Sequence, residues 1–282
     1  MGIVPPTLPN STVMYHYDSK TQQRLNLLEL WHYRYMIYML ILRDFTSFYK
    51  QSLGGVLWVF LAPITTMLTY SLIFGQIINL DTQGIPYPLF SFLGLIIWNY
   101  FSGVLKQASQ SLLKNRPLLT KVYIPQLAMP MIAAIQPLID LALSSMVLVV
   151  LLIIYPIAPT WRLLLLPLWL VYAALVALSI GLWLAVIAVR YRDTNFILQG
   201  SVQLLLYSTP LIYSLTSIPK AWLPLYALNP LVTLVHGFRW SFVGGDFLPI
   251  GSVLGGLVGV LVLFVGGLLF FDRFKSEFAD VV

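Results

Sequence analysis

Hydrophobic positions in this chain come in long blocks, and charged ones in short stations between them. Uncharged runs fill Gln51 to Leu80, Thr82 to Leu105, Leu141 to Trp161, Leu163 to Val189, Thr194 to Pro219 and Phe247 to Phe271. Each is long enough for the ~20 helical residues that cross a hydrocarbon core ~30 Å thick. The pattern predicts an all-α integral membrane protein with six transmembrane helices, at about residues 53–79, 87–106, 129–155, 162–190, 195–214 and 250–272. Two stretches test that reading. Val122 to Trp161 carries one charge, Asp140, but Pro125, Pro130 and Pro137 crowd its first half, so one long third span beginning near Met129 is expected. Ala221 to Phe238 is apolar but short, and is interrupted by Pro224, Asn229, Pro230 and Gly237. A pair of short re-entrant helices over about 217–238 fits it better than a crossing, since broken backbone at membrane depth is tolerated under a cover of protein or water.

The pattern changes before the first span. MGIVPPTLPN has neither a basic n-region nor an apolar h-region, so residues 1–24 are expected to form a flexible cytoplasmic lead and not a secretory signal. Over residues 25–50, Glu29, His32, Arg43, Ser47 and Lys50 recur at spacings of 3, 11, 4 and 3, with Leu27, Trp31, Tyr38, Leu42, Phe45 and Tyr49 opposite. This predicts an interfacial amphipathic helix anchored at the headgroups. A seventh span is the alternative, because the centre YMIYMLIL is apolar, and Arg34 suits neither picture. The remainder, 51–282, forms the transmembrane domain.

Composition removes the soluble alternative: 59% of residues are hydrophobic and only 9% charged, against ~25% charged in an average soluble domain. Charge position then orients the chain. Thirteen of the sixteen Lys and Arg fall in four stations, in the first 50 residues, between Lys106 and Lys121, at Arg190 and Arg192, and at Arg273 and Lys275. Basic residues near spans stay on the cytoplasmic side, so the four stations share one side, an even number of crossings separates successive stations, and both termini lie inside. The net charge of +6 then reflects topology and anionic lipid headgroups, with no nucleic-acid partner implied.

Reactive chemistry is sparse. The absence of cysteine excludes disulfides, thiol nucleophiles and thiolate metal sites. His16, His32 and His236 are far apart, with no carboxylate at metal-ligand spacing, and no glycine is followed by lysine, so the chain lacks a phosphate loop of its own. No catalytic, cofactor or metal residue is assigned. Asp140 is the one acid near the middle of a span, a functional candidate by its cost of burial or else a structural, protonated or hydrogen-bonded group. Gln199, Gln203, Tyr207 and Ser214 follow on the fifth span at spacings of 4, 4 and 7, and Thr66, Tyr70 and Phe74 form a comparable stripe on the first. Such stripes face protein or water. Among the aromatics, 14% of the chain, Trp98, Tyr100, Trp161 and Trp222 are expected as interfacial anchors. Tyr70, Phe74, Tyr207 and Tyr213 are candidates to line a path, where flat rings with a polar tip can slide along sugar faces.

Five ordered motifs carry a resemblance: YKQSLGGVLWVFLAPI (Tyr49 to Ile64), NRPLLTKVYIP (Asn115 to Pro125), VRYRDT (Val189 to Thr194), YALNPLVTLVHGFRW (Tyr226 to Trp240) and FKSEFADVV (Phe274 to Val282). From about Leu27 onward the chain resembles the permease subunit of ATP-binding-cassette exporters for polysaccharides and polyol phosphates, a group that includes O-antigen, capsule and teichoic-acid exporters. The resemblance implies a homodimer in the bacterial cytoplasmic (inner) membrane that pairs with two separate ATPase subunits, which hold the ATP and Mg, and exports a lipid-linked glycan. It implies that Asn115, Arg116, Pro117, Leu118, Leu119 and Lys121 form a capped coupling helix in a cleft of the ATPase, with Arg190, Arg192 and Asp193 as a smaller second contact. The basic residues also suit an ordinary cytoplasmic loop with snorkelling anchors. A membrane-embedded glycosyl or acyl transferase is the alternative of another class; it needs a positioned acid, base or metal, and no such cluster is visible. A drug or small-lipid exporter is a further alternative. Only Leu80 to Pro86 separates the first two spans, which leaves no room for the large external domain common among related drug exporters.

Overall fold

The computed structural model describes residues 31–50, 55–121, 124–158, 160–191 and 193–281. The expected lead over 1–24, the start of the amphipathic helix and Arg192 lie outside them. Among the described residues every regular element is helical. Eleven α-helices follow in order: α1 Arg34–Lys50, α2 Gly55–Tyr70, α3 Tyr87–Lys114, α4 Arg116–Leu119, α5 Ala128–Ile132, α6 Ile135–Ile154, α7 Leu166–Arg190, α8 Thr194–Ser208, α9 Leu223–Leu228, α10 Pro230–Val243 and α11 Ile250–Val281. A π-helical segment, Ser71–Ile77, continues α2, and a 3-10 turn, Trp161–Leu165, opens α7. Among the described residues five helical stretches are long and apolar enough to cross a membrane: Leu57–Ile77, Tyr87–Lys114, Ala128–Ile154, Trp161–Arg190 and Ile250–Phe274.

The third and fifth expected spans show what proline does. Pro137 has no N–H to offer the carbonyl four residues back, that of Ala133, and the helix breaks at Ala133 and Ala134 before resuming as α6. On the fifth, Pro210 disfavours helical geometry at the residue before it; Thr209 takes ψ 137° and α8 stops at Ser208. Fifteen residues make a helix of only about 22 Å, so the expected helix to residue 214 is corrected to α8 followed by turns.

The bundle is organised around α3. Of its most apolar window 83% is buried, against 17% for α2 and for α11. Its principal neighbour is α7, where Ala173, Ala177, Gly181 and Ala185 repeat every four residues and are all buried. A β-carbon on Gly181 would lie 2.8 Å from that of Ala108, so the backbones approach as closely as small side chains allow. Trp98 and Tyr100, expected at an interface, are 3% and 5% exposed: α3 runs on to Lys114 and places them at mid-helix, inside the core. Trp161 and Trp222 are exposed. On the far side of α7, the Trp183 ring lies against Gly266 and Gly267 of α11, and its indole N–H donates to the Leu263 carbonyl at 3.1 Å.

All four basic stations meet at one end of this bundle. Leu40 of α1, Leu112 of α3, Val186 of α7 and Phe271 of α11 belong to one apolar cluster, Arg43 donates to Asn115 Oδ1 at 2.8 Å, and Gln110 donates to Asn195 at 2.8 Å. At the opposite end the Tyr87 hydroxyl donates to the Ile212 carbonyl at 2.7 Å. Residues 195–212 therefore travel the height that α3 covers between residues 87 and 110, about 35 Å at helical rise.

The face of α1 differs from the expectation. Met36, Ile37, Leu40 and Ile41 pack on the bundle, while Trp31, Tyr38 and Leu42 of the expected apolar side stay exposed with Tyr35 and Met39. A second apolar stripe, one step round the helix, is the one that protein covers. The Arg34 guanidinium lies 5.5 Å and 5.1 Å from the ring centroids of Trp31 and Tyr35, which accounts for a cation on that side.

Candidate functional site

α2 and α8 present the two polar stripes. On α2, Thr66 Oγ1 donates to the Ala62 carbonyl at 2.9 Å, and Thr65 and Thr69 bond one turn back in the same way. These hydroxyls spend their donors on their own helix and show outward only acceptor lone pairs. Tyr70 and Phe74 stand next along the stripe, edge to face at 5.8 Å and half-buried. Gly75 in the π-helical segment brings that backbone onto the Tyr87 ring, where a β-carbon would sit at 2.9 Å. On α8, Gln199, Gln203 and Tyr207 are exposed along one side, together with Phe196 and Leu204. The Tyr87 ring that Gly75 meets also donates its hydroxyl to the Ile212 carbonyl, so one side chain links the end of the α2 stripe to the segment that follows α8.

Two expected path residues are placed differently. Tyr213 is half-buried, its hydroxyl 3.1 Å from the Tyr207 carbonyl and 3.0 Å from the Tyr226 hydroxyl, so it braces the stripe from behind. Ser214 is corrected: it is 4% exposed, lies beyond the end of α8, and its Oγ accepts from Thr216 N to cap the following turn. The spacing of 7 that joined it to Gln203 and Tyr207 presumed a helix that Pro210 ends.

The expected coupling station is a single turn. Arg116, Pro117 and Lys121 are exposed on α4 and just after it, whereas Leu118 and Leu119 turn inward onto the cluster that holds α1. Asn115 precedes α4 as expected but makes no side-chain cap bond. Its amide is committed instead to the Ser111 carbonyl at 2.9 Å and to Arg43 at 2.8 Å, a tie between α1 and the end of α3. Arg190 and Asp193 are exposed at the junction of α7 and α8, and the Gln110–Asn195 bond sets that junction beside the first station.

Asp140 lies in a cavity of about 430 Å3 between α2, α3 and α6, among Asn99, Gln107, Ser144, Trp58 and Tyr100. It is half-buried, in a wall where Asn99, Gln107 and Ser144 stand among apolar neighbours such as Val59, Ile96 and Leu141.

One heavily engaged polar residue is one that pattern reasoning left without a role. Arg239 of α10 is 8% exposed; its Nε donates to the Phe90 carbonyl at 3.1 Å, Nη1 to Pro210 at 2.7 Å and Nη2 to Leu211, and its guanidinium lies 3.7 Å from the Phe90 ring centroid. With Tyr87 on Ile212, side chains thus satisfy three consecutive carbonyls of the unwound segment after α8. Gly94 makes the space, since a β-carbon there would collide with the guanidinium. α10 itself is seated by the Trp169 ring on Gly237 and by the Trp169 indole donating to Ser241 Oγ at 3.0 Å. The available signal was an arginine on the otherwise apolar stretch after Pro230, which at membrane depth requires partners.

Comparison with known proteins follows these features. The family model described as ABC-2 type transporter matches residues 35–243. The chain is 32% identical over 259 residues to the O-antigen export system permease protein RfbA of Myxococcus xanthus, covering 90% of this chain and 98% of that one. It is 27% identical over 225 residues to the inner membrane transport permease YadH of Escherichia coli K12, covering 74% and 85%. It is 26% identical over 239 residues to the polysialic acid transport protein KpsM of Escherichia coli, covering 83% and 92%.

Proposed function

The chain belongs to the ABC-2 type transporter family, and from that premise we propose that it is the channel-forming subunit of an exporter for a lipid-linked, O-antigen-like polysaccharide, driven by ATP hydrolysis on a separate subunit. The observation that carries the reading is the pair of polar and aromatic faces on α2 and α8, with Gln199, Gln203 and Tyr207 exposed on α8 and Thr66, Tyr70 and Phe74 half-buried on α2. Two copies related by a two-fold axis, the commonest closed assembly, would set two such faces across a central conduit. Rings and carbonyl-satisfied hydroxyls offer a sliding glycan weak contact everywhere and tight binding nowhere.

In this reading α8 with its turns makes the fifth of six crossings, α9 and α10 form the re-entrant pair, and both termini are cytoplasmic. The exposed Arg116, Pro117 and Lys121, with Arg190 and Asp193 beside them, meet the two ATPase subunits that hold ATP and Mg. The near full-length match to an O-antigen permease supports that substrate class; the match to KpsM favours capsular polymer as the second reading.

The test is Tyr70→Ala, Phe74→Ala and Tyr207→Ala, singly and together, in cells deleted for their own permease, with surface polysaccharide measured at matched expression. The triple variant is expected to lose most export and each single variant part of it. Unchanged export in the triple variant would place the path elsewhere.

A further inference from the structure

A cavity of about 320 Å3 opens at the basic end of the bundle, between α1, α3 and the break that separates α5 from α6. Its polar wall carries Arg43, Lys106 and Lys114, with Asp44 as the one acid. Asp44 is taken up by Arg43, at 2.8 Å, which leaves the two lysines uncompensated within the cavity. They stand eight residues apart on α3, about 12 Å along its axis, a separation that two long, flexible side chains can close toward one group held between them.

A second observation points the same way. Gln136 of α6 lines this cavity, is 9% exposed, and its Nε2 has no hydrogen-bond partner among the described residues. Buried donors are almost always satisfied, and an acceptor that enters the cavity would satisfy this one. The remaining wall is apolar, from Leu40, Met129 and Ile132, and the nearby outer side of α1 exposes Tyr38, Met39 and Leu42. Cations and an amide donor on one side, with aliphatic groups on the other, match an amphiphile that has an anionic, acceptor-only head.

We propose that this cavity binds the phosphate-bearing headgroup of a membrane lipid, the phosphate held by Lys106, Lys114 and Gln136 and the start of the acyl region against Leu40 and Ile132. The site lies apart from the face of α2 and α8 and does not depend on which cargo that face conducts. Because Arg43 also grips Asn115, an occupied cavity would brace α1 against the turn that carries Arg116.

The experiment is titration of phosphatidylglycerol into the full-length chain purified in neutral detergent, with bound lipid counted by native mass spectrometry. Phosphatidylcholine and inorganic phosphate serve as the comparison ligands. Wild type is expected to retain phosphatidylglycerol in preference to both. Lys106→Gln with Lys114→Gln is expected to weaken that binding about thirtyfold, Lys106→Arg with Lys114→Arg to preserve it, and Gln136→Leu, which keeps the charge, to weaken it by a smaller factor. Equal retention of phosphatidylcholine, equal affinity for inorganic phosphate, or undiminished binding in the double Gln variant with its thermal midpoint intact would each overturn the proposal.

Discussion

At the scale of single residues, Arg239 shows how irregular backbone survives inside a helical bundle. Carbonyls that leave a helix in an apolar setting need donors, and a guanidinium supplies several in one rigid fork. Each hydrogen bond to a charged group contributes about 1.5–3 kcal/mol, so truncation of Arg239 is expected to lower the thermal midpoint of the purified protein substantially. Arg239→Lys should restore only part of the loss, because a point charge cannot reach Phe90, Pro210 and Leu211 together. The sharper test is a cycle with Gly94. Gly94→Ala should destabilise the protein when Arg239 is present and do little when Arg239 is already Ala; additive losses would mean that the two do not share one space. That Arg239 needs partners was legible from its apolar stretch, but not which ones, since a donor's partners depend on which carbonyls the fold brings near. The stripe on α8 was partly legible: Gln199, Gln203 and Tyr207 share an exposed side at the spacing of a helix, whereas the spacing that adds Ser214 runs through a proline that ends it.

At the scale of elements, hydrophobic block length identified the five long helices and proline position decided the rest. Pro137 and Pro210 act through a missing donor and a restricted neighbour, both readable in principle; yet the fifth block was drawn as one helix because its composition stays apolar through residue 219. α1 was recognised as amphipathic, but its protein-facing stripe was assigned wrongly. Apolar residues flank its polar strip on both sides, and composition alone does not say which side packs on protein. α4 is the clearest case of an element too short to stand alone. Four residues cannot hold a helix in water; Leu118 and Leu119 anchor it while Arg116 and Lys121 remain outside. If that turn engages an ATPase, Arg116→Glu with Lys121→Glu should reduce co-purification of the ATPase severalfold and leave the amount of chain in the membrane unchanged. Normal assembly in that double variant would return the two charges to ordinary membrane anchoring.

At the scale of the whole molecule, the gathering of four basic stations at one end was readable from charge counting alone, because electrostatics against a membrane acts on sums and tolerates errors in element boundaries. The centrality of α3 was not. Its polar residues, Ser91, Ser102, Ser109 and Ser111, are buried, and its mean hydropathy of 1.5 is the lowest among the five long helices. A helix of that kind depends on neighbours, and its main neighbour, α7, is still unmade when α3 leaves the ribosome. Some 76 residues separate their ends, roughly 4–15 s of synthesis at ~5–20 residues per second. Through that interval the post around which the bundle is built has no seam to lie in, and must be sheltered by insertion machinery or stand half-solvated in lipid. Ribosomes stopped at residue 160 should therefore release a short-lived chain in pulse-chase, and supplying residues 161–282 as a separate polypeptide should lengthen its life; a fragment as durable as the full protein would mean that α3 can wait unaided. Codons that slow translation between α3 and α7 would then lower yield with no change in any amino acid.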